Sequence, residues 1–347
     1  KFISRKFNKK FNKNYKKIHN WSVKNSENFW SSVWDFSKVK GNKSEVKIKK
    51  SQIFFKNNFL PDSKLNFCEN LLSKNTNEKA ITFISENGYR EIRNWNLLNK
   101  NVKYIAKYFK KLNIKSKDRI AAYMPNIPET VEAFLGTVAL GAIWSSCSPD
   151  FGINGVIERF SQIKPKILIV TNQYFYNGKN INVLDRVPTI IKKIPSIKHV
   201  IITTYPGQPI LKNLPKYKDI KTHYWNKILD ANNLEFKFNK FDFEHDLAIL
   251  YSSGTTGKPK CICHKNGGVL IQHLKEHQLH CDIKENDNVF YFTTCGWMMW
   301  NWLVSVLASK ASIVLFDGFP MYKKKDLLIK IADKENITLF GVSAKYI

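Results

Sequence analysis

The sequence predicts an α/β protein with more than one sheet, preceded by a mainly helical N-terminal segment. Three observations carry that reading. Short β-rich runs alternate with amphipathic helical stretches from Ile81 onward, the pattern of parallel sheets covered on both faces by helices. Hydrophobic residues make up 43% and aromatic residues 14% of the 347 positions, enough for a large buried core and too many for a disordered chain. Residues 1–75 lack the alternation and carry Trp21, Trp30 and Trp34, the last two on one helical face. The expected division is therefore 1–75 and 76–347.

Ile81–Ser85 and Tyr89–Ile92 pair around Asn87-Gly88, a strong hairpin signal. Leu98, Val102, Ile105, Phe109 and Leu112 recur at spacings of four and three, one apolar stripe of a helix. Arg119–Met124 reads as a strand, and a helix opens at Asn126-Ile127-Pro128-Glu129 with an N-cap residue and an early proline. Further strands are expected at Ile167–Thr171, Val200–Thr204, Leu247–Ser252, Val289–Thr293, Ser312–Phe316 and Thr338–Val342, with helices including Val269–Leu279 and Lys325–Lys334.

The formal net charge of +28 invites a nucleic-acid reading. The excess is spread along the chain among Asn, Ile and Phe, and no nucleic-acid motif accompanies its densest run, Lys1–Lys17. A basic surface equally suits polyanionic small molecules. Six irregularly spaced cysteines read as reduced thiols of a cytoplasmic protein. Ala133–Pro149 and Asn288–Ser309 carry no formal charge, but internal Gly, Ser, Thr and Asn favour a buried strand–turn–helix over a membrane span. Cys261, Cys263, His264, His273, His277, His280 and Cys281 resemble a zinc cluster. Their spacing does not, because Cys-x-Cys is too tight and Cys263 to His273 too short for a finger. No metal site is expected there.

The most informative segment is Tyr251-Ser252-Ser253-Gly254-Thr255-Thr256-Gly257-Lys258-Pro259-Lys260, directly after the apolar run Leu247–Leu250. Two glycines permit a tight turn and close backbone approach to a ligand. Hydroxyls, backbone N–H groups and two lysines can surround phosphate oxygens. It is not a Walker A loop, since no Gly-x-x-x-x-Gly-Lys-Ser/Thr occurs.

This segment resembles the signature phosphate loop of the acyl-adenylate-forming superfamily. Gly141–Gly152 and Thr293–Ser305 resemble stretches typical of the acetoacetyl-CoA synthetases within it, as does Phe340–Tyr346. Trp21–Phe36 resembles the N-terminal cap shared by acetyl- and acetoacetyl-CoA synthetases. The resemblance implies an acyl-adenylate-forming large domain behind that cap, acting on ATP, Mg²⁺, CoA and acetoacetate, with no zinc, nucleic acid or membrane involved. It implies that Ser252, Ser253, Gly254, Thr255, Thr256, Gly257 and Lys260 hold the ATP phosphates, and that Trp297, Met298 and Met299 wall the acyl pocket. Lys179, in Asn177-Gly178-Lys179, and His264 fall near where it places CoA. Acetate, propionate or a longer acid remains an alternative substrate, and a basic nucleic-acid-binding protein an alternative of another class.

By the same resemblance the Mg²⁺-binding acid, the hinge, the adenine- and ribose-binding segments and the distal catalytic lysine lie beyond Ile347. Purified residues 1–347 are accordingly expected to form no acyl-CoA from acid, Mg-ATP and CoA. A thioester detected in that assay would contradict the expectation.

Overall fold

The computed structural model describes residues 1–53, 56–229, 235–252 and 257–347. Helices α1 (Phe2–Lys6), α2 (Tyr15–Lys24) and α3 (Ser26–Phe36) open the chain. The Asn14 side chain caps α2 by accepting the Lys17 N–H, which satisfies one of the amides that a helix start leaves unpaired. Trp21 is buried against Phe7 and Phe11, and Trp34 is buried and stacked on Phe243.

Helix does not fill residues 1–75, however. Beyond Phe36 lie four two-residue strands, β1 (Gly41–Asn42), β2 (Ile48–Lys49), β3 (Asn58–Phe59) and β4 (Lys64–Leu65), then the short α4 (Phe67–Leu71). Lys and Asn dominate 38–66, with too few apolar residues at helical spacing to form an amphipathic helix.

Next come β5 (Lys79–Ser85) and β6 (Arg90–Asn94), the expected hairpin, and α5 (Trp95–Lys111), which buries Leu98, Val102, Ile105 and Phe109. The chain continues through β7 (Arg119–Tyr123), α6 (Pro128–Ala139), β8 (Ile143–Cys147), α7 (Ile153–Ile163) and β9 (Ile167–Thr171). A ribbon of β10 (Gln173–Tyr176) and β11 (Lys179–Asn182) follows, with α8 (Val187–Lys193), β12 (His199–Thr203), β13 (Lys221–Tyr224) and α9 (Trp225–Ile228) after it. Then come β14 (Phe241–Asp242), β15 (Asp246–Ser252), β16 (Lys260–Lys265) and α10 (Asn266–Lys275). The last elements are β17 (Asn288–Tyr291), α11 (Met298–Ser305), β18 (Ser312–Asp317), α12 (Leu327–Lys334) and β19 (Leu339–Gly341).

Two sheets dominate. The larger has the order β13-β12-β9-β7-β8-β15-β16 and the smaller β19-β17-β18-β5-β6. Both are parallel except at one edge, where β16 runs against β15 and β6 against β5. The interior strands are largely apolar on both faces, as suits strands covered on both sides. Ile167–Thr171 is buried at every position. Three expectations need correction. Ala133–Pro149 is helix, turn and strand, not strand–turn–helix. The helix at Asn126 starts from Ile127, whose side chain cannot cap, because Asn126 is committed elsewhere. The segment after the Ser/Thr/Gly loop is a returning strand, β16, before any helix begins. Among the described residues no helix is long and apolar enough to cross a membrane.

The junction of hairpin, α5 and α6 holds a buried ionic cluster. Arg93 on β6 donates to Glu129 (2.8 Å) and Glu132 (3.1 Å) on α6 and lies 3.1 Å from Glu91. Asn101 on α5 also donates to Glu132. Burial raises the carboxyl pKa of Glu129 and Glu132, since one guanidinium cannot compensate three desolvated carboxylates. In the full-length protein, Arg93→Met should cost about 3–5 kcal/mol in urea unfolding. A loss below about 1 kcal/mol would show that the cluster does not need its cation.

Candidate active site

Strand β15 carries the chain to Ser252 at the C-terminal edge of the larger sheet, and β16 brings it back from Lys260, which pairs with Ser252. The site is thus the tip of an antiparallel hairpin. Ser253, Gly254, Thr255 and Thr256 lie outside the described residues. Gly257 has φ +134°, a backbone state that side-chain-bearing residues rarely adopt, and Lys258 and Lys260 are exposed. Two contacts fix the base of the tip. The Ser145 hydroxyl donates to the Ile249 carbonyl (2.9 Å) and is hydrogen-bonded with the Tyr251 hydroxyl (3.0 Å). The Gln162 amide donates to the Pro259 carbonyl (2.9 Å). Exposed lysines beside the paired ends of two strands suit an anionic ligand.

The segment around Trp297 arrives at the same edge. Ser146, next to Ser145 on β8, donates to the Cys295 carbonyl (2.6 Å), and Gly296 packs on the Ser148 backbone and the Phe151 ring. Asn126, just past β7, closes the arrangement. Its N–H donates to Asp317 (3.0 Å), its amide nitrogen to the Thr293 and Phe316 carbonyls, and its oxygen accepts the Trp300 indole N–H (2.9 Å). Trp300 stacks on Trp144 beneath. Residues 141–152 and 293–305, far apart in sequence, are therefore one structural unit. Trp297 and Met298 are 58% and 45% exposed, whereas Met299 is half-buried against the core.

Sequence reasoning gave Asn126 only a capping role, placed Ser145 and Ser146 in a resembling stretch without a task of their own, and had no role for Gln162. Their signal is weak: each is an uncharged polar residue within or beside an apolar run, which is common in strands and helices alike.

His264 lies in β16 opposite Ala248, four residues from Lys260, or about 13 Å along an extended strand. It lines a groove of about 440 Å³ with Met298, Gly268, Gln272 and Glu276. Burial holds its pKa below the ordinary histidine value, and its Nδ1 is buried with no partner among the described residues. Lys179 is exposed on the β10–β11 ribbon that follows β9, and β7, β8 and β15 separate β9 from β16. At about 4.8 Å per strand, β9 and β16 themselves are roughly 19 Å apart. The histidine-rich stretch serves packing: His273 meets the Ser305 hydroxyl (2.6 Å) and His277 stands edge-on to Trp302. Burial pushes both imidazoles down to about 3. Among the described residues no three His, Cys, Asp or Glu side chains converge on a metal position.

Residues 71–345 match the AMP-binding enzyme family, and the chain belongs to it. Within that class it is 41% identical over 338 residues to the acetoacetyl-coenzyme A synthetase of Rhizobium meliloti (strain 1021), covering 96% of this chain and 51% of that protein. To the acetoacetyl-CoA synthetase of Xenopus tropicalis it is 38% identical over 341 residues, with the same coverage. The solved acetoacetyl-CoA synthetase from Streptomyces lividans superposes with a TM-score of 0.88 at 34% identity, across 96% of this chain and 51% of that one. The chain spans about half the length of the curated relatives it matches.

Asp317 gives this edge a titratable anchor. One carboxylate oxygen accepts the Asn126 N–H and the other the Tyr205 O–H (2.9 Å). Both bonds favour the charged form, yet burial prevails and pushes the carboxyl up to about 7. The folded state therefore keeps a proton that an unfolded Asp releases near pH 4. Stability from this group is full at low pH and is lost as pH rises toward about 7. Urea midpoints measured from about pH 5 to 8 should fall for the parent and stay flatter for Asp317→Asn. Parallel profiles would contradict the assignment.

Proposed function

We propose that the protein containing this chain is an acid–thiol ligase that activates acetoacetate as its adenylate and transfers the acyl group to CoA. One observation carries the reading: adjacent serines of β8 hold the phosphate-loop hairpin and the Trp297 segment, Ser145 through Tyr251 and Ser146 through Cys295. A polyphosphate held at Ser252–Lys260 and a small acid held at Trp297–Met299 would then meet over one strand end. The likeness to acetoacetyl-CoA synthetases at 38–41% identity supports the choice of acid.

In the first step a carboxylate oxygen of acetoacetate bonds to the α-phosphorus of ATP, and pyrophosphate leaves with the electron pair of the broken P–O bond. In the second, the CoA sulfur bonds to the acyl carbon, its proton is lost, and AMP leaves. The work of this chain in the first step is positioning and charge neutralisation. Ser252, Ser253, Gly254, Thr255, Thr256 and Gly257 would supply hydroxyl and amide donors, and Lys260 a cation. Mg²⁺ would arrive with the nucleotide and screen its phosphates. Trp297 and Met298 give a short keto acid apolar walls, with Met299 behind them. Lys179 and His264 would lie along the CoA path, the lysine toward the nucleotide phosphates. We place residues 1–75 as a cap, 76–347 as the first part of the large domain, and the protein in the cytoplasm, in keeping with six free cysteines.

The test is pyrophosphate release by the complete reading frame with Mg-ATP, CoA and a panel of acids. Acetoacetate should be preferred, Lys260→Ala should lower kcat/KM on the order of 10²-fold, and Trp297→Ala should raise KM for the acid. Preference for acetate or propionate would keep the chemistry and overturn the substrate. Steeply salt-sensitive DNA or RNA binding without any release would favour the basic-protein alternative.

A further inference from the structure

The β10–β11 ribbon stands apart from both large sheets, and an isolated two-stranded hairpin is marginal in water. Something must hold it. At its tip Asn177 and Gly178 both have positive φ, 50° and 76°, so that their consecutive N–H groups point the same way, a small anion-binding concavity. The concavity is filled by a side chain of the protein itself. Glu86, at the end of β5 and 6% exposed, accepts the Gly178 N–H on one carboxylate oxygen (2.7 Å) and the Asn177 N–H on the other (2.8 Å). The second oxygen also accepts the Phe319 N–H (2.7 Å), from the loop after β18.

Three amides from two distant segments thus converge on one buried carboxylate, and bonds of this charged kind are about twice as strong as neutral ones. The local packing agrees. Gly318 has φ +125°, and a Cβ there would stand 2.5 Å from the Glu86 Cβ, so only glycine lets this loop close on the carboxylate. A Cβ on Gly178 would come within 3.0 Å of the Tyr322 ring, and Tyr176 meets Phe319 edge-on. Lys179 follows Gly178 directly.

We infer that Glu86 is a positioning residue for CoA: by occupying the amide concavity of the ribbon tip it fixes Lys179 in place and leaves that side chain, not the backbone, to meet the nucleotide phosphates. The inference rests on the reading of Lys179 given under the proposed function. Glu86→Gln keeps the shape but turns an amide donor toward backbone donors, so at least one of the three bonds is lost.

The experiment uses the full-length protein with saturating acid and Mg-ATP and varied CoA. Glu86→Gln should raise KM for CoA about tenfold, with kcat and the CoA-independent exchange of pyrophosphate into ATP within twofold of the parent. Lys179→Ala should raise KM for CoA similarly. If Lys179→Ala raises it and Glu86→Gln does not, the role of Glu86 is overturned while the reading of Lys179 stands. If Lys179→Ala leaves it unchanged, the reading of the ribbon falls and the inference with it. An equal loss of the exchange reaction in Glu86→Gln would reduce Glu86 to a general structural residue. Should that variant not fold, Gly178→Ala, which displaces the tip and leaves Glu86 intact, carries the test. A selective rise in KM for CoA supports the inference, and an unchanged KM overturns it.

Discussion

The two sheets meet at the side chain of Asn126. A buried primary amide has two donors and a carbonyl oxygen to satisfy, and leaving any of them unpaired costs on the order of 1–3 kcal/mol. Here the donors reach carbonyls of both the Thr293 loop and β18, and the oxygen takes the Trp300 indole. The smaller sheet, the larger sheet and α11 are therefore registered against one another by a group with little freedom to move. Once that register is set, the Gly296 backbone can lie on Ser148 and Phe151, and Trp297 opens outward where a ligand can reach it.

Charge is handled in two ways. On the surface the lysine excess is spread and solvated, and the exposed ion pairs, such as Lys284 with Asp282, add little. Inside, carboxylates are used sparingly and each has a structural task. Glu86 gathers three amides, Asp317 an amide and a phenol, and Glu129 and Glu132 surround Arg93. The buried groups differ in what offsets their desolvation, which is why burial raises Asp317 and Glu129 despite favourable partners.

Much of the fold was legible because its signals are local. The β5–β6 hairpin follows from Asn87-Gly88, α5 from its apolar stripe, and β9 from an uninterrupted run of β-branched residues and leucine. The β10–β11 ribbon was missed because Gln173–Asn182 is half polar and its stability comes from Glu86, far away in sequence. Strand β16 was missed for a similar reason. Its residues Lys260–Lys265 are largely exposed and show no alternation, and only pairing with β15 makes them a strand. The segment Tyr251–Lys260 stood out by composition, because glycines, hydroxyls and lysines are concentrated in it, and that composition is what pointed to an anionic ligand. The residues that place it, Ser145 and Gln162, were not, because hydrogen bonds to distant carbonyls leave no periodic trace.

The central pairing of the smaller sheet, β5 against β18, has a consequence for how the chain comes to exist. Glu86 and its partner Phe319 are 233 residues apart. At translation rates of about 5–20 residues per second, roughly 10–50 s pass between their appearances at the ribosome. Throughout that interval the β5–β6 hairpin has one uncovered edge and a carboxylate awaiting its amides. The larger sheet lies almost wholly within the intervening segment and can assemble meanwhile. Encoded between β5 and β18, it can therefore form before β18 arrives to complete its pairing with β5.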